Sequence, residues 1–325
     1  MGKLTCQTLK NSFSQSNLAI SYYLCGDAKE HRLAIEGILT KRRFSVIALQ
    51  PKPATVLRQL AGASDVHTHI LPGLDDGAIK IENSIEMARV SVAQGTTVMI
   101  ATPHRFYGGR ENTPALIRSL AAQVQVEINR FIQPGDFTIV CGQEIPLTLS
   151  SAKELCSGET LTIGNAGMYA LVEPPFDRLP EWIAEAISLI RDAGIVPILA
   201  HPERNSIVQK DPSLVREFVK AGALLQLTAM SVTGKNGALA LEAANWMLEE
   251  SLIAIVASDC HSASWRPPIL SEAFTSISTQ FGDSTAARLF VENPQKISAS
   301  ERLFDLHSRP SLELAKTESR FGITA

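Results

Sequence analysis

The sequence predicts an α/β fold in which seven parallel strands close into a barrel with helices outside. Three observations predict it. From residue 64 onwards, short β-branched runs alternate with amphipathic stretches of helical length, the pattern of repeated β-α units. Glycine and proline punctuate that alternation where helices stop and start. Finally, six of the seven strands end in or beside a polar motif that offers imidazole or carboxylate. Closed β/α barrels carry their sites on the C-terminal face of the strands. An open doubly wound sheet would bring fewer strands to one point.

The elements follow in order. Residues 1–63 form an N-terminal extension, with a small helix expected at 34–39, a strand at 44–49, a break at Pro51 and Pro53, and a short helix at 54–61. The body is expected at 64–305, followed by a C-terminal tail at 306–325. Its strands are read at 64–67, 97–101, 137–141, 169–173, 196–200, 224–228 and 253–258. Helical patterns lie between them at 81–94, 114–131, 180–193, 212–221 and 237–250. Gly95, Gly194 and Gly222 each follow a helix, where a left-handed cap suits glycine. Pro114, Pro180 and Pro212 stand at helix starts, where the missing N–H is not needed.

Composition narrows the class. The chain has 325 residues, 45% of them hydrophobic, which suits one large or two smaller globular domains. A net charge of −3 gives no general attraction to nucleic acid or an anionic membrane. The charge is uneven, with nine Lys/Arg against three Asp/Glu in residues 1–63 and an acidic remainder. Such a basic segment is a solvated extension or an interaction arm. Five cysteines lie at 6, 25, 141, 156 and 260 without a CxxC pair, which points to a reducing compartment and no disulfide framework. The apolar stretch 18–25 contains Ser21, Tyr22 and Tyr23 and lacks a small-residue cleavage site, so it does not read as a signal peptide. No apolar run approaches the ~20 residues that span a bilayer. The cytoplasm is the expected location, with no membrane insertion and no nucleic-acid partner.

Five of the seven histidines fall in four motifs: Asp65-Val66-His67-Thr68-His69, Thr102-Pro103-His104, His201-Pro202-Glu203-Arg204 and Asp259-Cys260-His261. Two carboxylate motifs, Asp75-Asp76-Gly77 and Gly142-Gln143-Glu144, belong with them. Imidazole and carboxylate together suit hard to borderline divalent ions. His67 and His69 are two apart on a strand, so both rings share a face and can reach one ion. Asp259 and His261 are expected to repeat that geometry. One of Asp75 and Asp76 could instead cap the helix at Ile81. Glu144 is expected to close the third strand, where its carboxylate could bridge two ions. Arg105, Arg110, Arg204 and Arg266 lie beside the motifs. Guanidinium groups near a metal cluster suit a phosphate monoester, because Arg binds phosphoryl oxygens bidentately. Arg110 reads as a surface salt-bridge residue; Arg105, Arg204 and Arg266 are the candidates for catalysis.

These motifs resemble one family. The stretch from about 64 to 304 is similar to the polymerase-and-histidinol-phosphatase (PHP) superfamily, and within it to the bacterial manganese-dependent tyrosine-protein phosphatases of capsule and exopolysaccharide loci. The similarity rests on DVHTHILPGLDDG at 65–77, SIEMARVSVAQG at 84–95, ATPH at 101–104, GQEI at 142–145, AHPERN at 200–205 and ASDCH at 257–261. The resemblance implies a distorted seven-stranded barrel of PHP type holding two or three divalent ions. Mn²⁺ is the implied metal, with Fe, Zn, Co or Mg also compatible. It implies metal ligands at His67, His69, Asp76, His104, Glu144, His201, Asp259 and His261, and phosphate contacts at Arg204 and Arg266. The implied partner is a tyrosine-phosphorylated protein, a bacterial tyrosine autokinase of polysaccharide synthesis and export. Residues 1–63 have no counterpart in that pattern, and an oligomer is compatible with it.

Three other readings compete. Cys260 and Arg266 form a C-x5-R, the spacing of cysteine-dependent tyrosine phosphatases. Cys260 is expected to point away from its neighbours Asp259 and His261, and Pro267 and Pro268 remove N–H groups from any anion loop, so chance is the better account. A small-metabolite phosphomonoesterase of histidinol-phosphatase type would use the same barrel. A non-catalytic metal-binding docking protein would be expected to have lost ligands, and every ligand is present.

Overall fold

A computed structural model of the chain describes residues 54–303. The elements expected at 34–39 and 44–49, the stretch 18–25, the break at Pro51 and Pro53 and the tail at 306–325 lie outside the described residues. The strands are β1 (Ala63–Thr68), β2 (Thr96–Ala101), β3 (Phe106–Tyr107), β4 (Arg110–Glu111), β5 (Thr138–Cys141), β6 (Glu144–Pro146), β7 (Tyr169–Glu173), β8 (Val196–Ala200), β9 (Leu224–Thr228) and β10 (Ile253–Ala257). All seven expected runs are strands, and three of them match residue for residue.

The closed seven-stranded barrel is not what the hydrogen-bond ladders show. Parallel strands form a three-stranded sheet, β1-β2-β5, and a five-stranded sheet, β10-β9-β8-β7-β6, with β3 and β4 as a separate antiparallel hairpin. Where the sheets meet, single bridges replace ladders: Thr68 with Cys260, and His104 with Glu144. At the first seam the Asp65 carboxylate accepts the Ser258 N–H at 3.0 Å, so a side chain takes a donor that a ladder would use. At the second seam Glu144 does not close the third strand; it opens β6 in the other sheet. Gly142 makes the crossing, donating to Ala101 O at 2.8 Å, and a Cβ there would lie 3.0 Å from Ile100 Cγ2.

Helices cover the outer faces. The helix Ile81–Ala93 packs Met87 and Ala88 inward, and Pro114–Ile128 begins behind a Thr113 cap with proline in its first turn. Ile183–Asp192 places Ile183, Ile187 and Ile190 at helical spacing on one buried face. Each fully buried isoleucine contributes about 1.5–3 kcal/mol. Val215–Ala221 follows a 3-10 turn at Pro212–Leu214, and Ala238–Glu249 follows Gly237. Gly95, Gly194 and Gly222 have positive φ, as caps require. The helices Leu149–Ser157, Ser271–Phe281 and Asn293–Ser298 were not expected. The first carries its own signal, a Thr148–Ser151 capping box and a left-handed Gly158. The helix Ala54–Gln59 stands where the extension was expected to contain one, and Val56 and Leu60 join the core beside Ala63.

Side-chain alternation sorts the core into layers. In β7, Ala170 and Val172 face the helices while Tyr169 and Leu171 face a central cluster that also takes Val66, Ile100, Ile198 and Ile255. That cluster draws on both sheets and lies beneath the polar residues at the strand ends.

Candidate metal centre

The end of β1 brings His67 and His69 together, with their Nε2 atoms 3.3 Å apart. The loop after β1 supplies Asp75 and Asp76, and the turn after β2 supplies His104. Glu144 comes from the start of β6, Glu173 from the end of β7 and His201 from beyond β8. Asp259, His261 and Arg266 follow β10. Glu144 lies at the middle: its carboxylate is 3.2 Å from His67 Nε2, 3.4 Å from His69 Nε2, 3.0 Å from His104 Nδ1 and 3.2 Å from His201 Nε2. Asp259 Oδ1 is 3.4 Å from both His67 and His69. Asp76 Oδ1 lies 3.6 Å from His104 Nε2 and 3.4 Å from His261 Nε2. All eight expected ligands therefore join one cluster.

The tautomers point to lone pairs inside it. His67 Nδ1 faces Gln226 Oε1 at 3.1 Å, His69 Nδ1 faces Asp75 Oδ2 at 2.7 Å and His261 Nδ1 faces the Asp259 carbonyl at 3.0 Å. In the neutral ring each acceptor holds the proton on Nδ1, which leaves Nε2 free to bind a metal. Two such Nε2 lone pairs at 3.3 Å repel unless a cation lies between them. Donors about 2.0–2.1 Å from one ion lie roughly 3.0–3.4 Å from each other, so the separations in the cluster fit a bound divalent metal. Among the described residues, five overlapping three-residue groups offer such ligand sets, including His67–His69–Glu144, His69–Asp259–His261 and His69–Asp76–His104.

Electrostatics agree with a cation site. Burial pushes the Glu144 carboxyl up, yet His67, His104 and His201 together hold it well below the ordinary glutamate value. Asp259 is likewise held well below its ordinary value, because His67, His69 and Arg266 outweigh its burial. Burial opposes charge on His69, but Asp75 and Asp259 raise it well above the usual imidazole value. Without a metal, protons neutralise this cage; metal binding must displace them.

Reading the sequence missed Glu173 and Gln226, and gave Asp75 only as a possible cap or ligand. Glu173 lies 3.8 Å from His104 and 3.7 Å from His201, and its carboxyl is pushed up to about 8 by burial and by repulsion from Glu144. It completes a ligand group with His104 and Glu144; as the polar end of an apolar strand it obeys the same rule as the motifs. Asp75 does not cap the helix at Ile81, whose cap position is Lys80. It accepts from His69, Gly77 and His104 and so sets their positions. Gln226, buried in β9, also accepts the His201 N–H at 3.3 Å.

The arginines divide. Arg204 donates to Asp259 Oδ2 at 2.9 Å, and Arg266 donates to the same oxygen and contacts His261 Nε2 at 3.0 Å. Arg105 instead gives its guanidinium to Glu154 and Glu111, and Arg110 is exposed in the β3–β4 hairpin. Asp259 is not on a strand: β10 ends at Ala257, and Asp259 has φ 52°, so irregular backbone around the Cys260 bridge replaces the expected i, i+2 strand geometry with His261. His201 and Arg266 are also left-handed, with φ 34 and 52. Strained non-glycine backbone of this kind concentrates at functional sites. Cys260 is fully buried among Ile70, Leu71 and Met87, and burial drives its thiol far up, which removes the C-x5-R reading.

Comparisons with known proteins place the chain in a family. Residues 63–299 match the family model described as "Capsular polysaccharide synthesis, CpsB/CapC". The tyrosine-protein phosphatase YwqE of Bacillus subtilis is 34% identical over 246 residues, covering 76% of this chain and 95% of that protein. The tyrosine-protein phosphatase CpsB of Streptococcus pneumoniae is 32% identical over 238 residues, covering 72% and 97%. A crystal structure from a study of YwqE and CpsB, there called metal-dependent tyrosine phosphatases, superposes with a TM-score of 0.70 at 33% identity, covering 74% of this chain and 96% of that one.

Proposed function

The chain belongs to the CpsB/CapC family of capsular polysaccharide synthesis, and from that premise we propose that it hydrolyses phosphotyrosine as a metal-dependent phosphoric monoester hydrolase. One observation carries the reading: Arg204 and Arg266 converge on Asp259 at the edge of a cage of imidazoles and carboxylates. The two sheets and their bridged seams act as a distorted barrel that presents this cage.

Glu144, common to two of the ligand groups, would be the shared ligand at the centre. His67, His201 and Asp259 form one ligand group, His104 and Glu173 form another with Glu144, and Asp76 and His104 are partly open to solvent. Two or three divalent ions, Mn²⁺ first among them, would supply a nucleophile from water near neutral pH and offset charge on phosphoryl oxygens. Arg204 and Arg266 hold the phosphoryl group bidentately and orient it for in-line attack. Asp75 and Gln226 keep the proton on Nδ1 of His69 and His67. Arg105, engaged by two carboxylates, holds the hairpin beside His104. The tyrosine oxygen leaves readily, because its conjugate acid has a pKa of ~10, and no covalent enzyme intermediate is needed. The substrate we assign is a tyrosine autokinase of polysaccharide export, met in the cytoplasm.

Phosphate release from a phosphotyrosine peptide by metal-stripped protein, with Mn²⁺ restored, tests the reading beside His201→Ala. Turnover that returns with Mn²⁺ and disappears in the variant is expected. Absence of turnover with every divalent metal, while phosphopeptide still binds, would replace hydrolysis by docking.

A further inference from the structure

Exposed apolar side chains gathered around a polar cleft mark a ligand or interaction surface, whereas scattered ones do not, and here the rings are gathered about the cage. Three aromatic rings make up this group: Tyr107 is 41% exposed, Phe176 44% and Trp265 62%. They come from three separate segments, the β3–β4 hairpin after β2 and the loops after β7 and β10. Each rests on a different histidine of the cage. Tyr107 is parallel to His104 within 7°, with centroids 6.3 Å apart; Phe176 stacks on His201 at 5.4 Å; Trp265 meets His261 edge-on at 5.8 Å. Two of the rings also cover the arginines: Arg204 lies 5.0 Å over Phe176 and Arg266 lies 5.7 Å over Trp265.

We propose that Phe176 and Trp265, with Tyr107, form an aromatic collar that selects aryl over alkyl phosphate esters. The inference rests on the hydrolase reading above and names the residues that set its substrate class. The argument is one of depth and chemistry. His67, Glu144 and Asp259 are buried, whereas Asp76 and His104 are partly open to solvent, so a phosphoryl group must descend below the surface to reach them. Held by Arg204 and Arg266, it sends its ester group out past the rings stacked on those same two side chains. A phenyl ring in that passage meets aromatic edges and faces, which favour offset or edge-on ring contacts. A seryl ester has no ring to offer, and its short side chain would draw the peptide backbone into the collar. The stacked arginines are also fixed in direction by the rings, which couples the collar to the phosphate grip.

The test uses non-hydrolysable ligands so that binding is read apart from turnover. Phenylphosphonate and methylphosphonate are titrated into the Mn²⁺-loaded full chain, and into Trp265→Ala, Phe176→Ala and Trp265→Phe, with bound metal measured in each. Wild type is expected to prefer the phenyl ligand by on the order of tenfold or more. Each alanine should cut that preference about three- to tenfold, and Trp265→Phe should restore most of it. In turnover, the alanines should raise KM for a phosphotyrosine peptide far more than they lower kcat. Equal affinity of wild type for the two phosphonates would overturn the collar, as would alanine variants with full metal content and unchanged preference. Both arms can be scored apart from the hydrolase reading. A wild type that prefers phenylphosphonate yet hydrolyses nothing keeps the collar and loses the hydrolase, and one that hydrolyses phosphotyrosine without phenyl preference does the reverse.

Discussion

Asp75 shows how much one side chain arranges without touching the reaction. Its two oxygens accept from His69 Nδ1, from the Gly77 N–H and from the His104 N–H. Removing such an acceptor frees the ring to rotate and lets the proton move to the metal-facing nitrogen. Loss of an outer partner of this kind typically lowers metal affinity 10–100-fold. Asp75→Ala should therefore weaken Mn²⁺ binding by roughly that factor in calorimetric titration, while the fold, read by circular dichroism, stays. Unchanged affinity would show that Asp75 serves only the turn. The sequence placed two aspartates side by side, and geometry divided their work: Asp76 faces His104 and His261, and Asp75 faces the back of His69.

At the scale of elements, the site depends on how the chain leaves its strands. The turn after β1 doubles back, so that Gly73 N–H reaches Ala78 O at 2.8 Å and Ala78 N–H reaches His69 O at 3.0 Å. Gly77 lies inside that turn, and a Cβ on it would overlap the His69 carbonyl oxygen and Cβ. The neighbour is backbone, which cannot move aside cheaply. Gly77→Ala should displace His69 and its loop, so that Mn²⁺-dependent phosphatase activity falls by on the order of tenfold or more and the thermal midpoint drops. A variant with wild-type metal binding and wild-type midpoint would refute the close approach. The crossing at Gly142 is tight but softer, since a Cβ there would lie 3.0 Å from the Ile100 Cγ2 side-chain atom rather than against backbone.

For the molecule as a whole, burying polar groups beneath the site has a stability consequence. Glu203 is fully buried, and its Oε1 accepts the Thr228 N–H at 3.0 Å. Burial pushes its carboxyl up to about 7 from an ordinary 4.5. Below 4.5 the group is neutral in both folded and unfolded chains, and its stabilising contribution is complete. As pH rises towards 7 the unfolded chain releases the proton first, so stability is lost through that window. Glu203→Gln keeps the acceptor oxygen and removes the titration. The variant should gain on the wild type by on the order of 2 kcal/mol between about pH 5 and pH 8, each pKa unit being worth ~1.4 kcal/mol. Urea unfolding of the metal-stripped proteins at the two pH values measures it; a gap independent of pH would mean that Glu203 stays ionised when buried.

Local chemistry made much of this protein legible before any coordinates. Short β-branched runs, glycine caps and prolines at helix starts point to seven strands and five helices, because these are short-range properties of the chain. The polar motifs, with the family resemblance they carry, point to eight side chains and two arginines that the fold gathers into one cluster. Tertiary structure alone decided the rest. It split the strands between two sheets, since Asp65 and Gly142 act on segments distant in sequence. It moved Glu144 from the end of one strand to the start of another, brought in Glu173, Asp75 and Gln226, and turned Arg105 towards Glu154 and Glu111. Each of these depends on which side chains meet across space, and no local pattern encodes such a meeting.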